Sequence, residues 1–597
     1  MDRTGIIVLS ICALVLGWWL YEEQKIARQQ ALNPPPQVQA ANPNSPGAGA
    51  GTPLTTATSA MVSPFDTNLA EQVVVLTNAN ARYIFSSRGG GLKTVELPGF
   101  PEKISLRYQN STGTNSDKVA SLNSHAEVPT LAILGDPLLV GDGNYTLTRT
   151  ADGVTATKLL PGGLRIEKAF EISSNYLVKA SVRLKNNSGK PFKLPAQEWV
   201  VGTSEPMDVD DNGMAVGSMW YDGNTVQDCV PSYFAGGWFS GAPKSEYLMG
   251  SNNVAWAAIH NQFFALIAMP PTNEPALQIS GRPVNLPWLA TEATTKVPVG
   301  VQTALVYPAE LLPAGTEVKR SWLVYAGPKE YRGLARIGDE LQNHADLVMN
   351  FGTGFAGFFG IGSFFAKVLL LSMNWIHDVT TLGYGWTIVL ITLILRAMFW
   401  PLTAASTRSM KRMQALAPEL KALQEKYKDD VQKLTSKQWE LYKKNKVSPL
   451  SGCLPMLIQM PVFIGFYTMI RSAIELRGAH FLWVTDLSKP DTLAIIPGLN
   501  IAFNLLPLLM VAVMIWQAHL QPPSPGMDPG QQKMMRYMPV MLLIFLYNYS
   551  SGMALYMTVS TMAGVLQTKL TKINVPPPAT PVAVADPRLT PPSKKQK

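Results

Sequence analysis

Residues 386–402 read WTIVLITLILRAMFWPL, and this stretch decides the class of fold. It belongs to an apolar run, 384–404, that is interrupted by a single charge, Arg396. A helix of about 20 mostly apolar residues is long enough to cross the hydrocarbon core of a bilayer. Four more runs follow, the last two short enough to suit a thinned bilayer, at 453–474, 493–516, 537–550 and 553–568. The sequence therefore predicts a polytopic α-helical membrane protein.

The composition agrees with several folding units, at least one of them in a membrane. The chain has 597 residues, of which 47% are hydrophobic and only 15% charged, and its formal net charge is +9. This length exceeds that of one ordinary domain, and the apolar content excludes a wholly disordered chain. Cys12, Cys229 and Cys453 are more than 200 residues apart, so they indicate neither a disulfide framework nor a zinc site.

The N-terminus predicts an uncleaved anchor followed by a linker. Residues 5–21 carry no charge and end in two tryptophans and a tyrosine, which favour a membrane interface. The small residues of a signal-peptide cleavage site do not follow this run. We therefore assign 1–25 to a transmembrane anchor, and 26–60, rich in Pro, Gly, Ala and Asn, to a disordered linker.

Residues 61–328 have the period-two pattern of β-strands. Apolar residues alternate with charged ones from Leu164 to Ile172 and again from Val178 to Leu184, on either side of a Ser-Ser-Asn turn. Similar short strands fill the whole segment, so we expect a large antiparallel β-sandwich. Residues 329–382 then predict a connecting helix, over 329–347, and an amphipathic helix.

The run 355–376 is apolar, but we expect it to lie in the membrane interface instead of crossing the bilayer. Its polar positions fall within about 40° of one line on a helical wheel, namely Ser363, Lys367, Asn374 and Asp378. A single polar stripe of this kind is typical of a helix that lies flat on the membrane.

The distribution of charge predicts the topology. The loop 405–450 has eleven Lys or Arg against five acids, whereas the loop 475–492 has two basic residues and three acids. Basic loops stay in the cytoplasm, so we expect the first loop inside and the second outside. Counting back gives six crossings, an extracytoplasmic β domain and cytoplasmic N- and C-termini.

Arg396 needs an explanation because it is predicted to be roughly 18 Å from the outer end of its helix. An arginine at that depth costs at least about 2.5 kcal/mol unless it faces water or a polar partner. The five runs after residue 383 contain no Asp or Glu. Two interpretations stay open: the side chain snorkels to the cytoplasmic headgroups, or it faces a hydrated intramembrane cavity. Polar neighbours available for the cavity include Thr392, Gln459, Asn504, Tyr556 and Ser560.

The sequence gives little indication of ion-coupled transport, catalysis or metal binding. The lack of intramembrane acids disfavours a proton- or sodium-coupled transporter. The sequence has no GxxxxGK[ST] phosphate loop, no GxSxG nucleophile elbow and no metal-ligand spacing. We therefore expect no enzyme activity, no cofactor and no metal, and a small-molecule substrate is disfavoured.

Two basic segments have more than one possible role. The loop 405–450 predicts a helical hairpin, which is either a solvated connector or a dock for acidic lipid, protein or RNA. The basic tail 573–597 is predicted to be disordered, with ribosomal RNA and anionic lipid as alternative targets.

The second half of the chain resembles the YidC/Oxa1/Alb3 membrane protein insertases, of the Gram-negative bacterial YidC type. Four segments carry the resemblance: TLILRAMFWPLT at 392–403, KNKVSPLSGCLPMLIQMPVFIGFY at 444–467, DPGQQKMMRYMPV at 528–540 and YSSGMALYMTVS at 549–560. The anchor, linker and β domain are more weakly similar to the periplasmic region of that family.

The resemblance implies a five-helix insertase core at 383–572 in the bacterial inner membrane. It implies a hydrated, positively charged groove that contacts clients, with Arg396, Thr392, Gln459, Asn504, Tyr556, Met557 and Ser560. Met557 departs from the family pattern, in which a second tyrosine often follows the first. The implied partners are nascent membrane proteins, the Sec translocon, the ribosome, components of the signal recognition particle pathway and membrane lipids.

A competing hypothesis places the activity in the β domain. The chain would then be a membrane-anchored periplasmic protein that binds or modifies carbohydrate. That hypothesis predicts activity of the β domain alone, whereas the insertase hypothesis predicts that the domain is largely dispensable.

Overall fold

The computed structural model describes most of the chain between residues 65 and 570. The described residues are 65–66, 68–104, 118–208, 211, 215–236, 242–290, 297–351, 361–427, 430–445, 447, 454–496, 501–520 and 529–570. The predicted anchor, the linker and the basic tail lie outside these residues.

Strands occupy most of the first half of the described chain. They are β1 Val73–Thr77, β2 Arg82–Ser86, β3 Gly91–Pro101, β4 Val119–Leu122, β5 Ile133–Leu134, β6 Thr146–Arg149, β7 Gly153–Leu159, β8 Leu164–Ile172, β9 Leu177–Asn186, β10 Phe192–Leu194, β11 Gln197–Ser204, β12 Gly217–Tyr221, β13 Val226–Cys229, β14 Tyr247–Met249, β15 Trp256–His260, β16 Phe264–Met269, β17 Gln278–Asn285, β18 Val299–Tyr307, β19 Glu310–Leu312 and β20 Glu317–Pro328. Two four-residue helices interrupt them, α1 Pro137–Val140 and α2 Ser232–Ala235.

These strands form antiparallel sheets around one apolar core. The largest has nine strands in the order β13-β12-β15-β16-β20-β9-β8-β7-β6, and a second has five in the order β14-β17-β18-β11-β5. The two sheets meet in a shared hydrophobic cluster, where the rings of Trp199 on β11 and Trp322 on β20 have centroids 5.1 Å apart. A β-rich first half, as predicted, is confirmed.

The predicted hairpin of alternating residues is present as β8 and β9. The two strands pair antiparallel from Leu164↔Asn186 to Ile172↔Val178, and their burial alternates residue by residue. One position on the buried face is a lysine, Lys168, which is fully buried. Its amine donates to the carbonyl oxygens of Gly89 at 2.7 Å and Leu131 at 2.8 Å.

Helices dominate the second half of the described chain. They are α3 Tyr331–Leu341, α4 Ile361–Thr380, α5 Tyr384–Met398, α6 Trp400–Ala415, α7 Ala417–Lys426, α8 Val431–Lys444, α9 Leu454–Ser472, α10 Leu505–Leu520, α11 Pro529–Leu546 and α12 Ser551–Leu570. The predicted single helix over 329–347 is in fact α3 followed by a 3-10 turn, Ala345–Met349.

The helices α4 and α5 meet at a sharp bend. Among the described residues no single helix has both the length and the hydropathy of a bilayer span. Gly362–Thr380 and Tyr384–Met398 pass that test only as a pair, and they are bent by 117° at the break between them. The six crossings therefore stay a prediction.

One predicted span is wrong over its first half. Instead of a helix over 493–516, the chain forms two short antiparallel strands, β21 Thr492–Ile496 and β22 Ile501–Asn504, before α10 begins at Leu505. The sequence has two features that favour this hairpin: isoleucines, which favour strands, and a Pro-Gly pair at 497–498, which favours a turn. The carboxylate of Asp491 then accepts the backbone N–H of Leu506 at 2.7 Å, near the start of the helix.

The loop 405–450 contains α7 and α8 after the long helix α6. Leu416, Leu420 and Val447 form a small buried cluster, against which Leu441 and Tyr442 pack. Trp439 of α8 is 52% exposed. Two helices therefore pack together in this region through a small apolar cluster.

The 473–491 loop joins the helical half to the β domain. Arg477 in this loop donates from Nη2 to the carbonyl oxygens of Pro101 at 2.8 Å and Glu102 at 2.9 Å. The loop also binds the start of α12, since Ser551 donates its backbone N–H to the carbonyl of Lys489 at 2.8 Å. One end of the helical bundle is thus fixed to the β domain.

Candidate functional site

The site is built around Arg396, in the last turn of α5. Its guanidinium group reaches α12, where Nε lies 2.9 Å and Nη2 2.7 Å from the hydroxyl oxygen of Ser560. Both N–H groups donate to that one oxygen. Among the described residues no carboxylate pairs with Arg396, so its positive charge is matched only by hydroxyl dipoles.

A second polar contact also crosses from another helix to α12. Gln459 on α9 donates from Nε2 to the hydroxyl of Tyr556. The Tyr556 ring is buried and stacks on Phe466 of α9, with centroids 4.1 Å apart and planes 18° from parallel. Tyr556 and Ser560 lie one helical turn apart, so one face of α12 presents both hydroxyls.

Thr392 completes the cluster without offering it a free hydroxyl. It is buried, and its Oγ1 donates to the carbonyl of Ile388 in its own helix at 2.7 Å. The cavity lined by Thr392, Arg396, Gln459, Tyr556 and Ser560 has a volume of only about 10 Å³. That volume suits about one water molecule, so these side chains enclose little space between them.

Two predicted site residues lie apart from this cluster. Asn504 is in β22, where its side chain accepts from the Thr492 hydroxyl at 2.8 Å and donates to the carbonyl of Tyr547 at 2.9 Å. It is outside the cluster because α10 begins only at Leu505, at the end of the bundle held by the 473–491 loop. Met557 is half-buried, and it packs against apolar residues on a different side of α12.

Two residues that the sequence analysis missed support the cluster from α12. Gln567 is buried and donates to the carbonyl of Trp400 at 3.2 Å, at the start of α6. Gly564 lies beside the guanidinium group: a Cβ there would make an ordinary contact with Nη1 of Arg396, at 3.7 Å, and a tighter one with Nε2 of Gln517, at 3.1 Å. The sequence does contain a pattern that could have identified both residues: Ser560, Gly564 and Gln567 are small or polar and follow one another at spacings of four and three residues.

The cluster offers a positive charge and hydrogen-bonding groups, with no residue placed for covalent chemistry. Among the described residues no group of three His, Cys, Asp or Glu side chains could hold a metal ion. What the arrangement can do is bind a polar or negatively charged group between helices, provided that the helices separate.

These observations define a class of protein before any comparison. An antiparallel β domain precedes a set of apolar helices, and a half-buried arginine lies between three of them. Together with the apolar runs of the sequence, this combination is typical of a membrane protein with a folded domain outside the bilayer.

Comparison with known proteins identifies the family. The family model described as "60Kd inner membrane protein" matches residues 375–577, and the model described as "YidC periplasmic domain" matches residues 75–369. A membrane protein insertase YidC of Neisseria meningitidis is 31% identical over 414 residues, which are 68% of this chain and 70% of that protein. One from Neisseria gonorrhoeae is 28% identical over 514 residues, 83% of this chain and 86% of its own.

Among solved structures, the chain is similar to an active YidC insertase in which the first transmembrane domain is resolved. The identity is 17% and the TM-score 0.33, over 86% of this chain and 96% of that one. The family models and the Neisseria relatives show to which family the chain belongs. The chain belongs to the YidC family of membrane protein insertases, and it is an inner membrane protein with a periplasmic domain.

Proposed function

We propose that the Arg396 cluster is where this protein receives the polar segment of a client during membrane insertion. One observation carries the proposal: Arg396 lies between apolar helices with a hydroxyl, not a carboxylate, as its partner. A half-buried positive charge between apolar helices, with so weak a partner, favours the arrival of a negative or polar group. No bond is made or broken, so the activity is not enzymatic.

The energy for insertion comes mainly from the client. Each Leu, Ile, Phe or Val of its transmembrane helix gains about 0.3–0.6 kcal/mol on entering the bilayer centre. The obstacle is the polar tail that must cross, since an Asp at the bilayer centre costs about 2.5–3.5 kcal/mol. A positive charge between the helices lowers that barrier by pairing with the tail while it crosses.

Access to the cluster requires α12 to move. The contacts that close it, Arg396 to Ser560 and Gln459 to Tyr556, both end on this helix. Separation of α12 from α5 and α9 would break both contacts and expose both hydroxyls together. The closed cluster is in this proposal the resting state, and a client takes the place of Ser560 beside the guanidinium group.

The orientation that we propose has six crossings, both termini in the cytoplasm and α4 lying in the outer interface. Besides the basic loop 405–450, the contacts of α4 support it. Its polar stripe contacts α3 and the 473–491 loop: Asp378 pairs with Arg332 of α3 at 2.8 Å, and Asn374 donates to Glu475 at 2.8 Å. Apolar side chains on another side are exposed, as lipid contact requires, namely Phe364, Val368, Trp375 and Val379.

The proposed partners are nascent membrane proteins, which the Sec translocon, the ribosome and signal recognition particle components would deliver. In this proposal 61–328 is the periplasmic domain, 329–382 the connection and 383–572 the insertase core. We place the activity in the core, and not in a carbohydrate site of the β domain, because the Arg396 cluster lies in the core.

The test varies the charge at position 396 and the charge of the client's translocated tail. Arg396→Lys and Arg396→Ala are compared with the unchanged protein for insertion of one client whose translocated tail carries two, one or no acidic residues. We expect Arg396→Lys to retain most activity, and Arg396→Ala to fail increasingly with each acid, by roughly tenfold for every 1.4 kcal/mol of lost attraction. Equal defects across the series would show that Arg396 is structural.

A further inference from the structure

A second cavity lies where the β domain meets the ends of two helices. Its volume is about 470 Å³. The β domain and its connection contribute His260, Lys329 and Asp228, whereas α9 and the turn after α11 contribute Tyr467, Arg471 and Tyr549. None of these residues belongs to the Arg396 cluster.

Two cations in this cavity have no carboxylate partner. Lys329 is 2% exposed, and its Nζ lies 3.1 Å from Nδ1 of His260. Arg471 donates from Nη1 to the hydroxyl of Tyr467 at 2.8 Å. Among the described residues neither cation forms an ion pair, although Asp228 is exposed at the rim. Unpaired cations in a buried space are costly unless an anion joins them.

The titration of these groups depends on burial. Burial, with a smaller effect from the charge of Arg471, lowers the pKa of Lys329 to about 7. Burial and the charge of Lys329 hold the pKa of His260 well below its usual range, so the imidazole is neutral and Nδ1 can accept from the lysine. The cavity therefore has one to two positive charges near neutral pH.

Exposed apolar side chains lead from α11 to this cavity. Ile544 is 78% exposed and Phe545 is 70% exposed, and the next residue, Leu546, lines the cavity. A ligand that suits both features has an anionic head and an apolar tail. In the orientation proposed above, on which this step rests, these helix ends lie at the outer surface of the membrane.

We propose that this cavity binds the phosphate headgroup of an anionic phospholipid, with Lys329 and Arg471 as its charge partners. The acyl chains would lie along Ile544 and Phe545. The lipid would thereby join the β domain to the helical half at a place where their charges alone repel. Because the bound anion favours the charged lysine, binding takes up a proton. With a free pKa near 7, affinity should fall about tenfold from pH 6 to pH 8.

The experiment uses the full-length protein in a non-ionic detergent. Dihexanoyl phosphatidylglycerol, dihexanoyl phosphatidylcholine and inorganic phosphate are titrated separately by calorimetry, at pH 6 and pH 8, in buffers of different ionisation enthalpy. We expect phosphatidylglycerol to bind more tightly than the other two, with proton uptake at pH 8. No client is present, so this result is independent of the insertion assay on Arg396.

Variants assign the site. Lys329→Met and Arg471→Gln should each weaken phosphatidylglycerol binding at least tenfold, whereas Lys193→Met, a change at an exposed strand position, should not. Asp228→Asn removes the negative charge at the rim and should strengthen binding, and since Asp228 is exposed this variant is expected to fold. Thermal unfolding checks that each variant is folded.

Three results would overturn the proposal. Equal affinity for phosphatidylglycerol and phosphatidylcholine would show that net charge is not recognised. Inorganic phosphate binding as tightly as the lipid would show a site for a free anion. Weaker binding by Asp228→Asn would show that the cavity prefers cations.

Discussion

Replacing Ser560 with alanine separates the two roles that Arg396 could have. The change removes the hydroxyl that accepts from Nε at 2.9 Å and from Nη2 at 2.7 Å. A hydrogen bond to a charged group contributes about 1.5–3 kcal/mol. Because one oxygen accepts both bonds, we expect the pair to contribute about 2–4 kcal/mol to the closed cluster. The closed state should lose this stability, whereas a client carboxylate bound to Arg396 should not.

The assay measures insertion of a client with an acidic tail. If opening of the cluster limits the rate, Ser560→Ala should insert this client at least as fast as the unchanged protein, although Arg396→Ala fails. Thermal unfolding should begin at a lower temperature. The matched control is Thr561→Val on the same helix, because the Thr561 hydroxyl donates at 2.7 Å to the carbonyl of Met557, away from the site.

The opposite result has a clear meaning. If Ser560→Ala were as defective as Arg396→Ala, and equally so for acidic and neutral tails, the hydrogen-bonded pair would be a structural link between α5 and α12. Client electrostatics would then have to be removed from the mechanism.

Three further predictions concern other parts of the fold. Burial holds the pKa of the Lys168 amine well below its usual range, so the folded state binds this proton less strongly than the unfolded state does. Stability in urea should therefore rise between pH 7 and pH 9, by at most about 1.4 kcal/mol per unit, and Lys168→Met should flatten this slope. Gly465→Ala should destabilise the contact of α9 with α4 by about 1–3 kcal/mol in thermal unfolding, because a Cβ there would lie 2.5 Å from Cβ of Phe365. A cysteine introduced at Lys367, which is exposed, should react with an impermeant reagent from the periplasmic side; its protection would contradict an interfacial α4.

The hairpin of β8 and β9 shows what the sequence could predict. Alternation of apolar and charged residues determines which face is buried, and strand pairing follows from the short turn. The same pattern also placed Lys168 on the buried face. Its partners could not be predicted, since the Gly89 and Leu131 carbonyls come from distant segments. Two carbonyls match the two N–H groups of a neutral amine, which explains how this lysine is buried without an acid.

The candidate site was predictable only in part. Polar residues within apolar helices are rare, so Arg396, Gln459, Tyr556 and Ser560 could be selected from composition and family resemblance. Asn504 was selected in the same way, but an apolar run alone does not show whether the chain forms a helix or a strand hairpin. Because the chain forms the hairpin of β21 and β22 there, Asn504 lies outside the Arg396 cluster. The cavity between Lys329 and Arg471 depends on packing between halves of the chain, which local patterns do not record.

The attachment of the 473–491 loop to the β domain affects how the bundle can move. This loop fixes the start of α12, through Ser551 and Lys489, to a rigid body of β-sheets. Twenty residues of helix extend about 30 Å from that fixed point. A pivot of about 10° there displaces the far end by about 5 Å, but the near end hardly at all. In the orientation proposed above, this pivot lies on the periplasmic side, so movement of α12 would open the bundle mainly towards the cytoplasm, where clients are made.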